Sequence, residues 1–379
     1  MPEKLISEHA KEEKKVEYLE LVYDLIFVYI IGRNNALLHH VEGGFLRWET
    51  FASYALYTLA VIQIWNFSTF YINRYGKNGL REHIFLFSNM YLLYYMADGT
   101  VPVLAGEFTR YSAAWALILV NIGVQYAIEL RRRETPEETR QTRRSCAILL
   151  GEAGLVLANL LLFRHSGVSL SWVPILFGIA ATSLSGGVNR QVAVDFPHLT
   201  ERAMLYTVLT FGEMIIAIAG YFSGDFSLNN VYFSLMAFLI VVGLLLSYGM
   251  IYNRLLDRER VTSGTASMLL HVFLIFALNN ITTALEFMRE EEVSLMPKTL
   301  FLTFSLVLYY VFLFCTEHYA REKLRFTRPL RLALAGIALI FIALMLLLRL
   351  QAAWNIAVTV LFVYGISALM HFYGNRRRA

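Results

Sequence analysis

Long apolar runs separated by short charged segments dominate the pattern of this chain. A helix that crosses a bilayer needs about 20 predominantly apolar residues, and twelve segments approach that length. They lie at 19–38, 51–72, 83–104, 111–130, 146–163, 170–186, 203–222, 230–252, 265–287, 299–319, 331–348 and 353–373. The pattern therefore predicts an all-α polytopic membrane protein with about twelve transmembrane helices.

The distribution of positive charge predicts the orientation. With the N-terminus in the cytoplasm, the segments on that side hold 26 of the 33 Lys and Arg residues, and the other side holds seven. Such an excess is typical of cytoplasmic loops. We therefore expect a multi-pass protein of the cell membrane with both termini in the cytoplasm. The basic run from Arg131 to Arg144 is interpreted as a loop facing anionic lipid, and no nucleic-acid partner is expected.

The two halves resemble each other. Asp24-Leu-Ile-Phe-Val in the first segment is similar to Glu213-Met-Ile-Ile-Ala in the seventh, and Asn73-Arg74 and Asn253-Arg254 end the second and eighth. We predict two parallel six-helix repeats, an arrangement found in transporters. The chain is then predicted to consist of a cytoplasmic segment 1–18, a first half 19–186, a connecting loop 187–202, a second half 203–373 and a basic tail 374–379.

Composition agrees with a membrane protein and argues against other classes. The chain is 57% hydrophobic and 16% charged, with a mean hydropathy of +0.51, whereas soluble proteins carry about 25% charged residues. Cys146 and Cys315 lie in apolar runs without zinc-ligand spacing. Because the sequence also has no P-loop, HExxH or dinucleotide motif, we expect no metal and no cofactor, and an enzyme is the less favoured reading.

Acidic residues inside apolar helices are the main functional candidates, since a charge in lipid is costly and usually faces a polar interior. Glu20 and Asp24 share one face of the first helix. Glu213 lies in the seventh, where Gly212 is expected to permit close helix packing. The repeat would place Asp24 and Glu213 on a shared axis, where they could carry a proton or a cation. The alternative is a structural pair between an acid and an arginine.

Other polar positions extend this set. His271 and His83 could relay protons, although a histidine held by hydrogen bonds within the fold is the alternative. Asn73, Arg74, Asn253 and Arg254 end two helices. Their arginines either reach lipid headgroups or pair with the intramembrane acids.

Three motifs resemble the bacterial low temperature requirement protein A (LtrA) family. They are Val16-Glu-Tyr-Leu-Glu20-Leu-Val-Tyr-Asp24-Leu-Ile-Phe-Val28, Phe70-Tyr-Ile-Asn73-Arg74-Tyr75, and His198-Leu-Thr-Glu201-Arg202 followed by Phe211-Gly-Glu213. The resemblance implies a multi-pass membrane protein linked to growth in the cold. It also adds three structural or coupling candidates, namely His198, Glu201 and Arg202. A more distant likeness is to lysosomal potassium channels built from six-helix repeats, whose Arg-x-x-x-Phe-Ser-Asp block has Glu20-x-x-Tyr23-Asp24 as its counterpart here.

Three functions remain open at this point. The favoured one is a cation- or proton-coupled transporter or channel. The alternatives are an intramembrane enzyme or lipid- or isoprenoid-binding protein, and a structural or sensory protein for growth in the cold. Expected partners are membrane lipid and a small cation or proton, and homo-oligomers are compatible with the sequence.

Overall fold

Helices make up nearly all of the chain that the structure describes. The computed structural model describes residues 14–39, 41–98, 105–132, 135–189, 192, 194–223 and 226–376. Its α-helices are α1 Tyr18–Asn35, α2 Trp48–Tyr75, α3 Leu80–Asp98, α4 Ala105–Leu130, α5 Pro136–Ser166, α6 Trp172–Leu184, α7 Gly186–Asn189, α8 Phe196–Ala217, α9 Leu228–Met250, α10 Thr265–Arg289, α11 Leu295–Cys315, α12 Arg328–Leu347 and α13 Ala352–Arg376. Ten helical segments of this part are long and apolar enough to cross a bilayer. The prediction of an all-α polytopic membrane protein is confirmed.

Each of the twelve predicted segments overlaps a helix, but α3 and α6 are not among those ten. The 13 residues of α6 span about 20 Å at 1.5 Å per residue, less than the hydrocarbon core of about 30 Å. The predicted end of the third segment, 99–104, lies outside the described residues. Twelve spans therefore stay a prediction.

The start of α8 is defined by a local capping signal. The Asp195 side chain accepts a hydrogen bond from the His198 backbone N–H at 3.0 Å, and Pro197 lies in the first turn, where a missing N–H does no harm. The helix consequently begins at Phe196, inside the range predicted as a connecting loop. This start places His198 and Arg202 on a helix rather than in a loop.

A short β-hairpin that was not predicted from the sequence follows α1. Its strands, β1 Val41–Glu42 and β2 Phe45–Leu46, pair antiparallel. Gly43 and Gly44 have φ values of 64° and 88°, and a two-residue hairpin turn with positive φ at both positions favours glycine. The Gly44 carbonyl accepts a hydrogen bond from the Ser294 N–H at 2.7 Å, so the hairpin joins the loop between α10 and α11.

Four helices form the centre of the bundle. Helices α1, α2, α8 and α10 all contact one another. In α2 and α10, 78% of the most apolar stretch is buried, against 22% in α12 at the periphery. We call the end where α1 and α8 begin and α2 ends the basic face, because Lys14, Lys77 and Arg81 lie there, and the other end the opposite face.

Helix neighbours recur between the halves. The contacts α1–α3, α3–α4, α4–α5, α5–α6 and α2–α6 have counterparts in α8–α10, α10–α11, α11–α12, α12–α13 and α9–α13. Such recurrence is expected if α8–α13 repeat the arrangement of α1–α6. It supports the predicted repeat, which stays a prediction, as do the range boundaries.

Candidate functional site

Two acidic and two basic side chains meet between α1 and α8. Glu20 and Asp24 are four residues apart on α1, and His198 and Arg202 are four residues apart on α8, so each pair shares one helix face. Glu20 is 4% exposed and the other three are fully buried. We call these four residues the salt-bridge cluster. All four are candidates from the sequence, but their meeting was not predicted.

Arg202 binds Asp24 in a bidentate manner. Its Nη2 donates to Asp24 Oδ1 at 2.8 Å and its Nε to Oδ2 at 3.2 Å. Trp65 on α2 also donates its indole N–H to Oδ1 at 2.8 Å. Fork-shaped pairing of this kind is among the stronger charge-assisted interactions, and it offsets part of the cost of burying both charges. Asp24 therefore has the cationic partner that the sequence left unidentified.

Glu20 is held less completely. Its Oε2 lies 3.2 Å from Arg202 Nη1 and 3.4 Å from His198 Nε2. Although they are close, none of these three buried atoms makes a hydrogen bond of acceptable geometry within the described residues. Two carboxylates face one guanidinium, and Lys14 is close enough to Glu20 to interact with it electrostatically. A proton that moves onto Glu20 or His198 would change the balance of charge in the cluster, so these two side chains are its candidate proton acceptors.

Asn73 orients the histidine. Its Oδ1 accepts from the Asp195 backbone N–H at 3.2 Å and its Nδ2 donates to the Asp195 carbonyl at 2.8 Å, which fixes the amide orientation. Its Nδ2 lies 3.0 Å from His198 Nδ1. A neutral His198 therefore accepts at Nδ1 and carries its proton on Nε2, the nitrogen that faces Glu20. Asn73 is a positioning residue for the cluster and also joins α2 to the start of α8.

A cavity of about 300 Å³ at the basic face reaches Glu20. We call it the vestibule. It is lined by Lys14, Lys15, Glu17, Leu19, Glu20, Ile72, Gly76, Lys77, Asn78, Glu82, His83 and Leu86. Burial lowers the pKa of Lys14, whose ammonium donates to the carbonyls of Ile72 and Gly76. His83 lies in the wall of the vestibule, where its Nε2 is 2.7 Å from Asn78 Oδ1, and not in the cluster.

Glu213 lies elsewhere, so the expected facing pair of acids is not found. Its carboxyl packs against Gly32, which is about 12 Å beyond Asp24 along α1 at 1.5 Å per residue. The reason is the early start of α8, which brings Arg202, and not Glu213, to the depth of Asp24. Gly212 has nothing within 4 Å of an added Cβ. The close approach expected at Gly212 occurs at Gly32 instead.

A second group of acids surrounds Glu213 at the opposite face. Glu286 of α10 lies close enough to Glu213 to interact electrostatically. His39 Nε2 is 3.5 Å from Glu286 Oε2, and its Nδ1 is 2.9 Å from Glu290 Oε1. We call Glu213, Glu286, Glu290 and His39 the acidic cluster. Glu213 has no ion-pair partner among the described residues.

Hydrogen bonds between neutral side chains occupy the interior near the ends of α1 and α10. Asn35 donates to Asn279 at 2.8 Å, Asn279 donates to the Tyr54 hydroxyl at 2.8 Å, and Tyr54 donates to Asn280 at 2.8 Å. All four side chains are buried. Polar groups thus continue along α1, α2 and α10 beyond the salt-bridge cluster.

The remaining candidates lie apart from both clusters. His271 Nδ1 is 2.8 Å from the Ser267 carbonyl and its Nε2 is 3.3 Å from the Tyr248 hydroxyl, so it is held locally. Arg74 lies over the Phe70 ring at 5.4 Å. Asn253 and Arg254 are in a π-helical turn after α9, and Arg254 Nη1 donates to Asn375 at 3.1 Å. Glu201 is half-buried on α8 outside the cluster.

Two buried residues with functional contacts, Trp65 and Glu152, were not identified from the sequence. Trp65 gave no signal, because an indole in an apolar helix is common. Glu152 on α5 is an acid inside a predicted apolar segment, which is the signal that identified Asp24, and it is fully buried. The described residues contain no group of three or more His, Cys, Asp or Glu side chains arranged to hold a metal ion.

Comparison with known protein families identifies a match over most of the chain. A family model described as bacterial low temperature requirement A protein (LtrA) matches residues 15–365. That range includes the salt-bridge cluster, the acidic cluster and every lining residue of the vestibule except Lys14. No curated protein matches the chain.

Proposed function

The chain belongs to the LtrA family, whose model matches residues 15–365, and from that premise we propose that it is a proton- or cation-coupled membrane transporter or channel. The observation that carries the proposal is the salt-bridge cluster. Helices from both predicted halves contribute to it, it is buried inside the bundle, and its two carboxylates face a single guanidinium with a histidine beside it. Ionisable groups inside a membrane protein mark ion and proton pathways more often than other positions do.

The surroundings of the cluster support movement of a proton or cation across the bundle. The vestibule gives Glu20 access from the basic face. Buried amides and a tyrosine hydroxyl follow on α1, α2 and α10, and the acidic cluster attracts cations at the opposite face. In this mechanism a proton enters through the vestibule and binds between Glu20 and His198. Binding weakens the hold of Arg202 on Glu20 and favours a rearrangement of α1 against α8.

We further propose that the basic face is cytoplasmic and that the protein resides in the cell membrane. The excess of Lys and Arg on that face supports both statements. The partners are then membrane lipid and a small cation or proton. A homo-oligomer fits the same proposal.

Flux through proteoliposomes tests the proposal. Asp24→Asn should lower proton- or cation-dependent flux at least tenfold, because the amide cannot balance Arg202. Glu213→Gln should lower flux as well, because it removes a charge from the acidic cluster. Glu317→Gln is the matched control, since Glu317 pairs with Arg331 at 2.7 Å outside both clusters. Wild-type flux in Asp24→Asn and Glu213→Gln liposomes would reject transport through this site.

A second candidate function rests on a different cavity. A space of about 450 Å³ between α11, α12 and α13 is lined mainly by apolar and aromatic side chains, with Glu317, His318 and Arg331 among them. An apolar cavity with a few polar groups suits a small ligand, here a lipid or isoprenoid. Mass spectrometry of the purified protein tests this candidate. A stoichiometric lipid lost on Ala338→Trp would favour it, and its absence would remove it.

A further inference from the structure

We infer that Glu152, Gln63 and Asn66 form a binding site for one monovalent alkali cation, Na⁺ or K⁺. The site lies between α2, α5 and α6, apart from the salt-bridge cluster. The inference rests on the proposed function and adds to it a bound cation in the first predicted half. Its test does not require a measurement of transport.

Glu152 is a buried carboxyl that has no Lys or Arg partner among the described residues. It is fully buried in the middle of α5, and no Lys or Arg of the described residues is close enough to interact with it electrostatically. Its one polar contact within that part is Gln63, whose Nε2 lies 3.4 Å from Glu152 Oε2. An isolated carboxylate in an apolar interior is very costly. The charge therefore needs a bound cation or a proton.

Three buried oxygens of Glu152, Gln63 and Asn66 lack a hydrogen-bond donor, which favours a cation. Glu152 Oε1, Gln63 Oε1 and Asn66 Oδ1 are buried and have no hydrogen-bond donor among the described residues. Gln63 and Asn66 are 5% and 6% exposed. A proton on Glu152 would leave at least one of these oxygens without a partner. Hard cations take carboxylate and carbonyl oxygens as ligands, so one ion would satisfy all three.

The space available fits a small ion. A cavity of about 20 Å³ is lined by Gln63, Asn66, Gly178, Thr182, Ser183 and Thr265, together with apolar residues. Glu152 does not line it but lies next to it, with Oε2 beside Gly178. A cavity needs roughly 10–15 Å³ to hold one water molecule. It therefore accepts an ion with few or no waters, whereas Mg²⁺ usually keeps several. One carboxylate also balances a charge of +1.

Gly178 on α6 makes this arrangement sterically possible. A Cβ at this position would collide with Gln63 Nε2 and Glu152 Oε2. Glycine thus lets the two side chains approach each other against the α6 backbone. A second small cavity, with Arg74 and Arg144 in its lining, shares Phe67 and Thr182 with this one. The inference concerns a binding site for one ion and not a conduction path.

Thermal unfolding of the purified full-length chain in detergent tests the site. NaCl and KCl are titrated against choline chloride at constant ionic strength and pH. The wild type should show a saturable rise in Tm of about 1–3 °C with Na⁺ or K⁺ relative to choline, since a ligand that binds only the folded state stabilises it. Glu152→Gln should abolish that rise. Glu20→Gln is the matched control and should retain it while losing flux.

Two outcomes would overturn the inference. An equal Tm in choline, Na⁺ and K⁺ would mean that Glu152 binds a proton only, and an unchanged cation response in Glu152→Gln would mean that any cation binds elsewhere. If Glu152→Gln does not fold, Gln63→Met removes one oxygen ligand and should raise the half-saturating cation concentration at least tenfold. An unchanged concentration would reject the site. Loss of flux in Glu20→Gln without loss of the Tm response separates this result from failure of the proposed transport function.

Discussion

The salt-bridge cluster and the acidic cluster place similar acids in different surroundings. Asp24 is fully buried and receives two hydrogen bonds from Arg202 and one from Trp65. Glu213 is half-buried, next to the acid Glu286, and has no ion-pair partner among the described residues. The difference shows that two acids in similar sequence settings need not share a role. Neutralising partners, which come from other helices, decide whether an acid is fixed or free to exchange an ion.

Removal of Arg202 should lower the stability of the folded protein the most. Arg202→Leu leaves Asp24 and Glu20 buried without their cation, and breaking a buried pair in this way costs about 3–5 kcal/mol. We expect a large loss of folded protein and a lower Tm in detergent. Adding Asp24→Asn to Arg202→Leu should restore part of the stability. A double variant less stable than Arg202→Leu would show that Asp24 and Arg202 do not act as a pair.

Loss of the indole donor should have an intermediate effect. Trp65→Phe keeps most of the ring volume but removes the N–H that reaches Asp24 Oδ1, and a hydrogen bond to a charged group contributes about 1.5–3 kcal/mol. The free energy of unfolding should fall by about that amount. Trp354→Phe is the control, because Trp354 is 62% exposed. Equal changes in the two variants would mean that the Trp65 hydrogen bond contributes nothing.

The contact beside Glu213 should give the smallest effect. A Cβ on Gly32 would meet the Glu213 carboxyl, whereas a Cβ on Gly212 meets nothing within 4 Å. Gly32→Ala should therefore be less stable than Gly212→Ala by about 1 kcal/mol, at the low end of the cost of overpacking, because a flexible side chain can move. Thermal unfolding of the two variants measures the difference. A Gly32→Ala variant as stable as Gly212→Ala would contradict the contact.

The sequence predicts the helices well and their pairing poorly. Each predicted segment overlaps a helix, because a run of apolar residues carries its own signal. The partner of Asp24 depends on the register of α8 against α1. That register follows from the Asp195 cap and the start at Phe196, whereas aligning Asp24 with Glu213 by similarity shifts it by about three turns of helix. The contact between Gln63 and Glu152 likewise depends on tertiary packing, whereas the hairpin has a local signal in Gly43–Gly44 that the prediction from apolar runs did not include.

Infrared difference spectroscopy of the chain in lipid, between about pH 5 and pH 9, tests the central claim that the salt-bridge cluster exchanges a proton between Glu20 and His198. The account predicts a carboxyl or imidazole band that is lost in both Glu20→Gln and His198→Gln. The same band should persist in Glu17→Gln, the matched control at the vestibule. A spectrum in which Glu20→Gln and His198→Gln keep every band of the wild type would contradict the account.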